Sequence, residues 1–221
     1  MNIADIKGLK YPDEYFIKFF FKFNLHQKKD DTYVELGCSN GCNLMLPYQF
    51  NNNVVGVDLD KTLIGYAKEN FTSEKSKNSF SFFNQDMREF AKEKKNFQTD
   101  VLVLANSIYY IPKNDFIELL NDLNTNFNLG KNIPFFIRFR KPDDFRNNKG
   151  KIIDKNSIII QNGITGEDGA FCKFYETQEL IQILQKMLNL HDFEIMHLKY
   201  DNIQNNIKVT SSEAVIWGYI N

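Results

Sequence analysis

"VELGCSNGCN", residues 34–43, decides how this chain is read. An apolar run ends in an acid, Glu35, and Gly37 and Gly41 follow within a few residues. Glycine lets the backbone turn tightly and approach a ligand with no Cβ in the way. In open parallel sheets, ligands bind beyond the carboxyl ends of the strands, and the first strand–loop–helix commonly carries the cofactor. A dinucleotide fingerprint, G-x-G-x-x-G, also requires glycine at positions 39 and 42, where this sequence has Ser39 and Cys42. A carboxylate directly before the loop repels a pyrophosphate and suits a cationic ligand.

Outward from that loop, strands and helices alternate. A helix is predicted over 12–24, a strand over 32–37, a helix over 41–49, a strand over 54–59 and a helix over 61–70 with Asp60 as its N-cap. Strand 79–86, a short helix, strand 100–106, helix 115–127 and strand 133–140 follow. The last third reads as a polar segment with Gly150, Gly163, Gly166 and Gly169, helix 178–189, and strands 193–200 and 213–220. The expected fold is α/β and doubly wound: a seven-stranded, mostly parallel sheet with helices on both faces. No helix separates the last two strands, so residues 201–212 are read as a long hairpin loop. That gives one antiparallel strand near the C-terminal end.

Composition bounds the partners. The chain has 221 residues, which suits a single domain over 1–221, with residues 1–30 as an N-terminal helical cover and 141–176 as a substrate-lid insertion. Twenty-seven basic residues against 28 acidic ones leave no basic excess, so neither nucleic acid nor an anionic membrane is expected as a partner. The run "YFIKFFFKF", residues 15–23, is too short to span a bilayer and carries Lys18 and Lys22. Its phenylalanines Phe16, Phe19, Phe20 and Phe23 recur at helical spacing, as in a helix packed on the domain. Cys38, Cys42 and Cys172 form no even disulfide framework, and no second Cys/His pair has zinc-ligand spacing. A cytoplasmic protein, monomer or homodimer, with no metal is expected.

The next strand ends in "GVDLD", and Asp58 follows Gly37 at about 20 residues, where an acid accepts from a ribose diol. The ligand therefore combines a nucleoside with positive charge and lacks a diphosphate. S-adenosylmethionine meets that description. At this point the sequence resembles the class I S-adenosylmethionine-dependent methyltransferases. "VELGCSNGCNL" is similar to their first motif with Ser39 in place of the middle glycine, and "VVGVDLDKTLIGYAKEN" to their second. "FFNQDMREF" and "DVLVLANSIYYIP" resemble the third and fourth. The resemblance implies a cofactor site at Glu35, Gly37, Cys38, Ser39, Gly41, Asn43, Asp58, Leu59, Asp86, Met87 and Asn106. Within it, Asp86 would meet the adenine amino group and Met87 would flank the ring. "YPDEYFIKFF" resembles a segment in which a tyrosine, here Tyr11, closes over the methionine end. The product would be S-adenosylhomocysteine.

The resemblance also puts the methyl acceptor above strands four and five. Asn106, Tyr109, Tyr110, Arg138 and Arg140 are the candidates there. An arginine at that position grips a phosphate or carboxylate, or pairs with Asp143 or Asp144 instead. His26, His191 and His197 fall outside the expected loops, so no histidine base is evident. "NSIYY" lacks the Asn/Asp-Pro-Pro-aromatic pattern of relatives that methylate nucleobases or glutamine amides. The expected activity is methyl transfer to an O or N of a small polar metabolite, a sugar derivative or an amine. The alternatives are a protein or RNA methyltransferase, a nicotinamide-dependent oxidoreductase, or an inactive nucleoside-binding module.

Overall fold

A computed structural model of the chain describes residues 3–74 and 76–221. The strands in chain order begin with β1 (Thr32–Leu36), β2 (Asn53–Asp58), β3 (Phe80–Asn84), β4 (Phe97–Thr99), β5 (Val101–Ala105) and β6 (Phe127–Leu129). They continue with β7 (Ile133–Arg140), β8 (Gly150–Asp154), β9 (Ser157–Ile160), β10 (Phe171–Lys173), β11 (His191–Gln204) and β12 (Ile207–Ile220). The helices are α1 (Glu14–Lys22), α2 (Cys42–Gln49), α3 (Lys61–Thr72), α4 (Met87–Glu93), α5 (Lys113–Asn126) and α6 (Thr177–Leu188).

Seven strands form one sheet in the order β11-β12-β7-β5-β1-β2-β3, with β12 antiparallel to both of its neighbours. This is the expected plan. Every residue of β5 is buried, as a strand covered on both faces by helices requires. One face carries α1, α2 and α3, whose Phe16, Phe19, Leu44, Tyr48, Ile64 and Phe71 join a single apolar cluster. The other carries α4, α5 and α6 through Phe90, Phe116, Leu120, Leu180 and Leu184. The strand order reverses between β1 and β5, which opens a crevice at their carboxyl ends.

Two stretches read as irregular are ordered strands. Residues 201–212 lie almost wholly inside β11 and β12, which turn at Asn205 and Asn206, both with positive φ (49° and 63°). Two left-handed residues give the turn whose twist matches the flanking strands, and asparagine tolerates that conformation. The segment 141–176 holds a three-stranded antiparallel sheet, β10-β9-β8, rather than a simple loop. The minor pair β4–β6 was likewise not expected from the sequence.

α1 begins where Asp13 Oδ1 accepts the backbone N–H groups of Tyr15 and Phe16, and Asp60 caps α3 through Thr62 and Leu63 in the same way. Phe19 of α1 packs on Phe136 of the central sheet and on Trp217. Ahead of α1, residues 7–9 run as a strap over the glycine loop. Asn40 Nδ2 donates to the Lys7 and Leu9 carbonyls at 2.6 and 2.9 Å, and Asn70 takes the Lys7 N–H at 2.9 Å.

Candidate functional site

The glycine loop is built from its backbone outward. Gly37 has φ +82°, and a Cβ placed on it would lie 2.2 Å from the Ser107 Cβ, so only glycine fits. Gly37 and Cys38 donate to the Val57 carbonyl at 2.8 and 3.0 Å, tying the loop to the end of β2. Ser39, in the place of the family's middle glycine, adopts φ 52°. Its N–H donates to Asp58 Oδ2 at 2.8 Å, and Asp60 N–H donates to the other oxygen at 2.9 Å. Asp58 therefore knits the loop to the second strand while standing on the cleft wall.

That cleft encloses about 560 Å³ at the carboxyl ends of β1, β2, β3 and β5. Gly37, Ser39, Asp58, Leu59, Asp86, Met87, Asn106 and Tyr110 of the expected residues line it. Leu9, Val57, Leu63, Gln85, Ser107 and Ile111 line it as well and were missed. Leu9 arrives on the strap, for which the sequence carries no signal. Ile111 stands at the end of the fourth motif, in the quoted "DVLVLANSIYYIP", and could have been read from its place there. The apolar side chains suit a flat ring and the Asp58 carboxylate suits a diol.

Behind the loop, Glu35 is 1% exposed. Asn43 Nδ2 donates to its Oε1 at 2.7 Å, and Asn43 Oδ1 accepts the Asp13 N–H at 2.8 Å. Glu35 Oε2 is buried with no partner. Burial raises its carboxyl pKa to about 8 against the Asn43 hydrogen bond, and the neighbouring carboxylates Asp13 and Asp58 add to the rise. Asp86 caps α4 and accepts from the Arg88 guanidinium at both oxygens, which holds its pKa below the usual range.

Eight expected residues stand away from the cleft lining: Glu35 behind the loop, Arg138 and Arg140 on β7, and five others. Tyr11 is 70% exposed and borders a separate apolar crevice with Leu46 and Met45. Cys38 is buried beside Gly56, Gly41 packs against Phe71 and Phe82, and Asn43 orients Glu35 rather than facing the cleft. Tyr109 is buried in a cluster with Ile158, Ile160 and Phe174 of the insertion. Burial pushes the Cys42 thiol up to about 12 and raises that of Cys38 as well.

Both arginines of β7 are paired, but not with Asp143 or Asp144. Arg138 lies between Asp13, at 2.5 Å, and Glu213. Arg140 pairs with Glu167 at 2.5 Å and stacks on the Tyr109 ring at 4.1 Å. Asp144 takes Arg146, and Asp143 takes Lys199. Sequence spacing favoured the nearer acids; the fold brings in distant ones. Among the described residues, no group of three or more His, Cys, Asp or Glu is arranged to hold a metal ion, and no helix is long and apolar enough to cross a membrane.

Residues 34–127 match a family model described as "Methyltransferase domain". That span runs from the first strand into β6 and takes in the whole glycine loop and cleft floor. Solved structures share the fold. A S-adenosylmethionine-dependent methyltransferase from Methanosarcina mazei aligns over 89% of this chain and 96% of its own, at 14% identity and TM-score 0.68. One from Archaeoglobus fulgidus aligns over 94% and 100%, at 15% and 0.62. The N-methyltransferase NodS from Bradyrhizobium japonicum WM9 aligns over 94% of each, at 13% and 0.61. A search of curated proteins gives no match. The glycine loop and cleft floor thus lie within the span that matches the methyltransferase-domain model, and the fold as a whole is similar to that of these solved methyltransferases.

Proposed function

We propose that this chain transfers a methyl group from S-adenosylmethionine to an oxygen or nitrogen of a small polar acceptor. The observation that carries the reading is a cleft with two carboxylates on its wall, Asp58 and Asp86, and one orphaned carboxyl oxygen behind its loop, Glu35 Oε2. A buried polar atom without a partner is costly, and a cationic group from a ligand would satisfy it. Asp58 would accept from the ribose hydroxyls with lone pairs left over from the Ser39 and Asp60 N–H groups. Leu59, Met87 and Ile111 would flank the adenine, and Asp86 would accept its amino group alongside Arg88. Leu9, on the strap, would shield the bound nucleoside from water.

The bound cofactor supplies a sulfonium methyl, an electrophile ready for in-line displacement. The chain's part is alignment, which contributes several kcal/mol through orientation alone. Asn106 stands at the cleft with φ 57°, its side-chain amide directed at Asp13, and with Tyr110 it would fix the acceptor's approach. With the cofactor held there, Asn106 and Tyr110 would keep the acceptor's O or N in line with the sulfonium methyl, and S-adenosylhomocysteine and one proton from the acceptor would be released. Incubation of the protein with S-adenosylmethionine and a panel of small amines, hydroxy acids and sugars tests this. Acceptor-dependent S-adenosylhomocysteine with a product heavier by one methylene is the expected outcome. Turnover with proteins or RNA alone would contradict the small acceptor.

A further inference from the structure

Of the two β7 arginines, one is fixed and the other is held by something that can leave. Arg138 is pinned by Asp13, the N-cap of α1, and by Glu213, which pairs in register across from Arg140 on β12. Those carboxylates sit on a helix end and a central strand. Arg140 is pinned by Glu167, which stands in "QNGITGEDGA", residues 161–170. Gly163, Gly166 and Gly169 in that loop all have positive φ, and a Cβ on any of them would meet nothing within 4 Å. The loop's other bonds are mostly to itself: Asp168 accepts the Asn162 and Gly163 N–H groups, and Ala170 donates to the Glu167 carbonyl.

Three donors converge on the Glu167 carboxylate. Tyr110 Oη and Arg140 Nη2 donate to Oε1 at 2.8 and 2.5 Å, and Arg146 Nε donates to Oε2 at 2.5 Å. The arrangement is not saturated. Arg140 Nε is buried with no partner, although the Arg140 side chain is only 7% exposed. A guanidinium offers Nε and Nη2 as one fork that fits a planar or tetrahedral anion with two parallel bonds. Glu167, shared with Arg146, fills only half of it. Arg140, Arg146, Glu167 and Asp144 sum to zero charge; without Glu167 the cluster is left with one positive charge. The ring of Tyr110 lines the cofactor cleft, so an anion at its hydroxyl would lie one phenol ring from the cleft.

We propose that Tyr110, Arg140 and Arg146 form an anion subsite for the methyl acceptor, and that Glu167 is its built-in placeholder, displaced by a carboxylate or phosphate of that acceptor. The inference rests on the methyltransferase reading and narrows it to acceptors that carry an acidic group beside the methylated atom. Displacement opens the lid loop as the acceptor enters.

The test titrates inorganic phosphate and, separately, acetate into the full-length protein at matched ionic strength, with and without S-adenosylhomocysteine. Glu167→Ala should bind one of the two anions about tenfold tighter than the wild type or better, because the competing charge is gone. Adding Arg140→Lys, which keeps the charge but loses the fork, should remove that gain. Which anion gains identifies the acidic group. A Glu167→Ala protein with a native circular dichroism spectrum and a cooperative melt, but no gain for either anion, overturns the proposal. Should that variant not fold, thermolysin cleavage of the wild-type loop at Ile164 decides. Faster cleavage in phosphate or acetate than in chloride supports displacement, and equal rates in all three overturn it. Loss of S-adenosylhomocysteine binding with the anion gain intact would take down the methyltransferase reading alone.

Discussion

At Glu35 a proton and a cationic ligand compete for one carboxylate. With its pKa raised from 4.5 to about 8, the carboxyl is protonated at neutral pH, and a bound ammonium would drive it to ionise. The sign follows from linkage: a cation that displaces the proton binds more tightly as pH rises. Affinity for S-adenosylmethionine should climb between pH 5.5 and 7, by about tenfold per unit at most, and Glu35→Gln should flatten the slope. Calorimetry across that range checks it. Stability of the free protein moves the other way. The contribution of a raised carboxyl is fully present below 4.5 and is lost as pH rises through about 8, so the melting temperature should fall over that window in the wild type but not in Glu35→Gln. Gly37 is the other exacting residue. Its Cβ would meet Ser107 at 2.2 Å, and Gly37→Ala should cost about 1–3 kcal/mol or more in denaturant melts. Both residues were legible in the sequence, because their chemistry is local: an acid and a glycine at a strand end. Leu9 and Glu167 were not, since each reaches the site by a chain path that no short motif encodes.

Elements hold these residues in place, and α1 does so most visibly. Phe16, Phe19 and Phe20 are fully buried, and Asp13 at the helix start joins Arg138 on β7 to Asn43 and thus to Glu35. Phe19→Ala should destabilise by about 3–5 kcal/mol, read from the shift in urea midpoint at constant slope. Asp13→Ala leaves the Arg138 guanidinium with Glu213 alone, and breaking a largely buried pair costs about 3–5 kcal/mol. That variant should also weaken cofactor binding, whereas Phe19→Ala should leave the affinity of the folded fraction unchanged. Element assignment from sequence succeeded wherever burial imposed a period, as at the α1 phenylalanines and the all-apolar β5. It failed at 201–212, where β11 and β12 run beyond the part of β12 that pairs with β7. There residues 201–208 are mostly exposed, and although Val209, Ser211 and Ser212 are buried, "DNIQNNIKVTSS" holds too few apolar residues for its short Ile207–Val209 alternation to stand out as a strand. The small sheet β8–β9–β10 was hidden for a different reason: its isoleucine runs, Ile152–Ile153 and Ile158–Ile160, are too short to show a period, and β8 is exposed throughout.

For the molecule as a whole, the sheet order puts the strand-order reversal between β1 and β5, and every element of the cleft follows from that point. The doubly wound plan and its one antiparallel strand were readable because strand–helix alternation is a global pattern that survives errors of a few residues at each boundary. The charge pairings above β7 were not, because they depend on which distant acids the finished fold delivers to Arg138 and Arg140. In the proposed function, this cleft binds S-adenosylmethionine through Asp58. Calorimetric titration of the purified protein with S-adenosylmethionine and S-adenosylhomocysteine, beside Asp58→Ala and with NAD as a control, tests it directly. Both sulfur ligands should bind, about tenfold or more weakly in Asp58→Ala, since a hydrogen bond to a charged group contributes about 1.5–3 kcal/mol. Well-folded protein that binds neither sulfur ligand, or that binds NAD in their place, would contradict it.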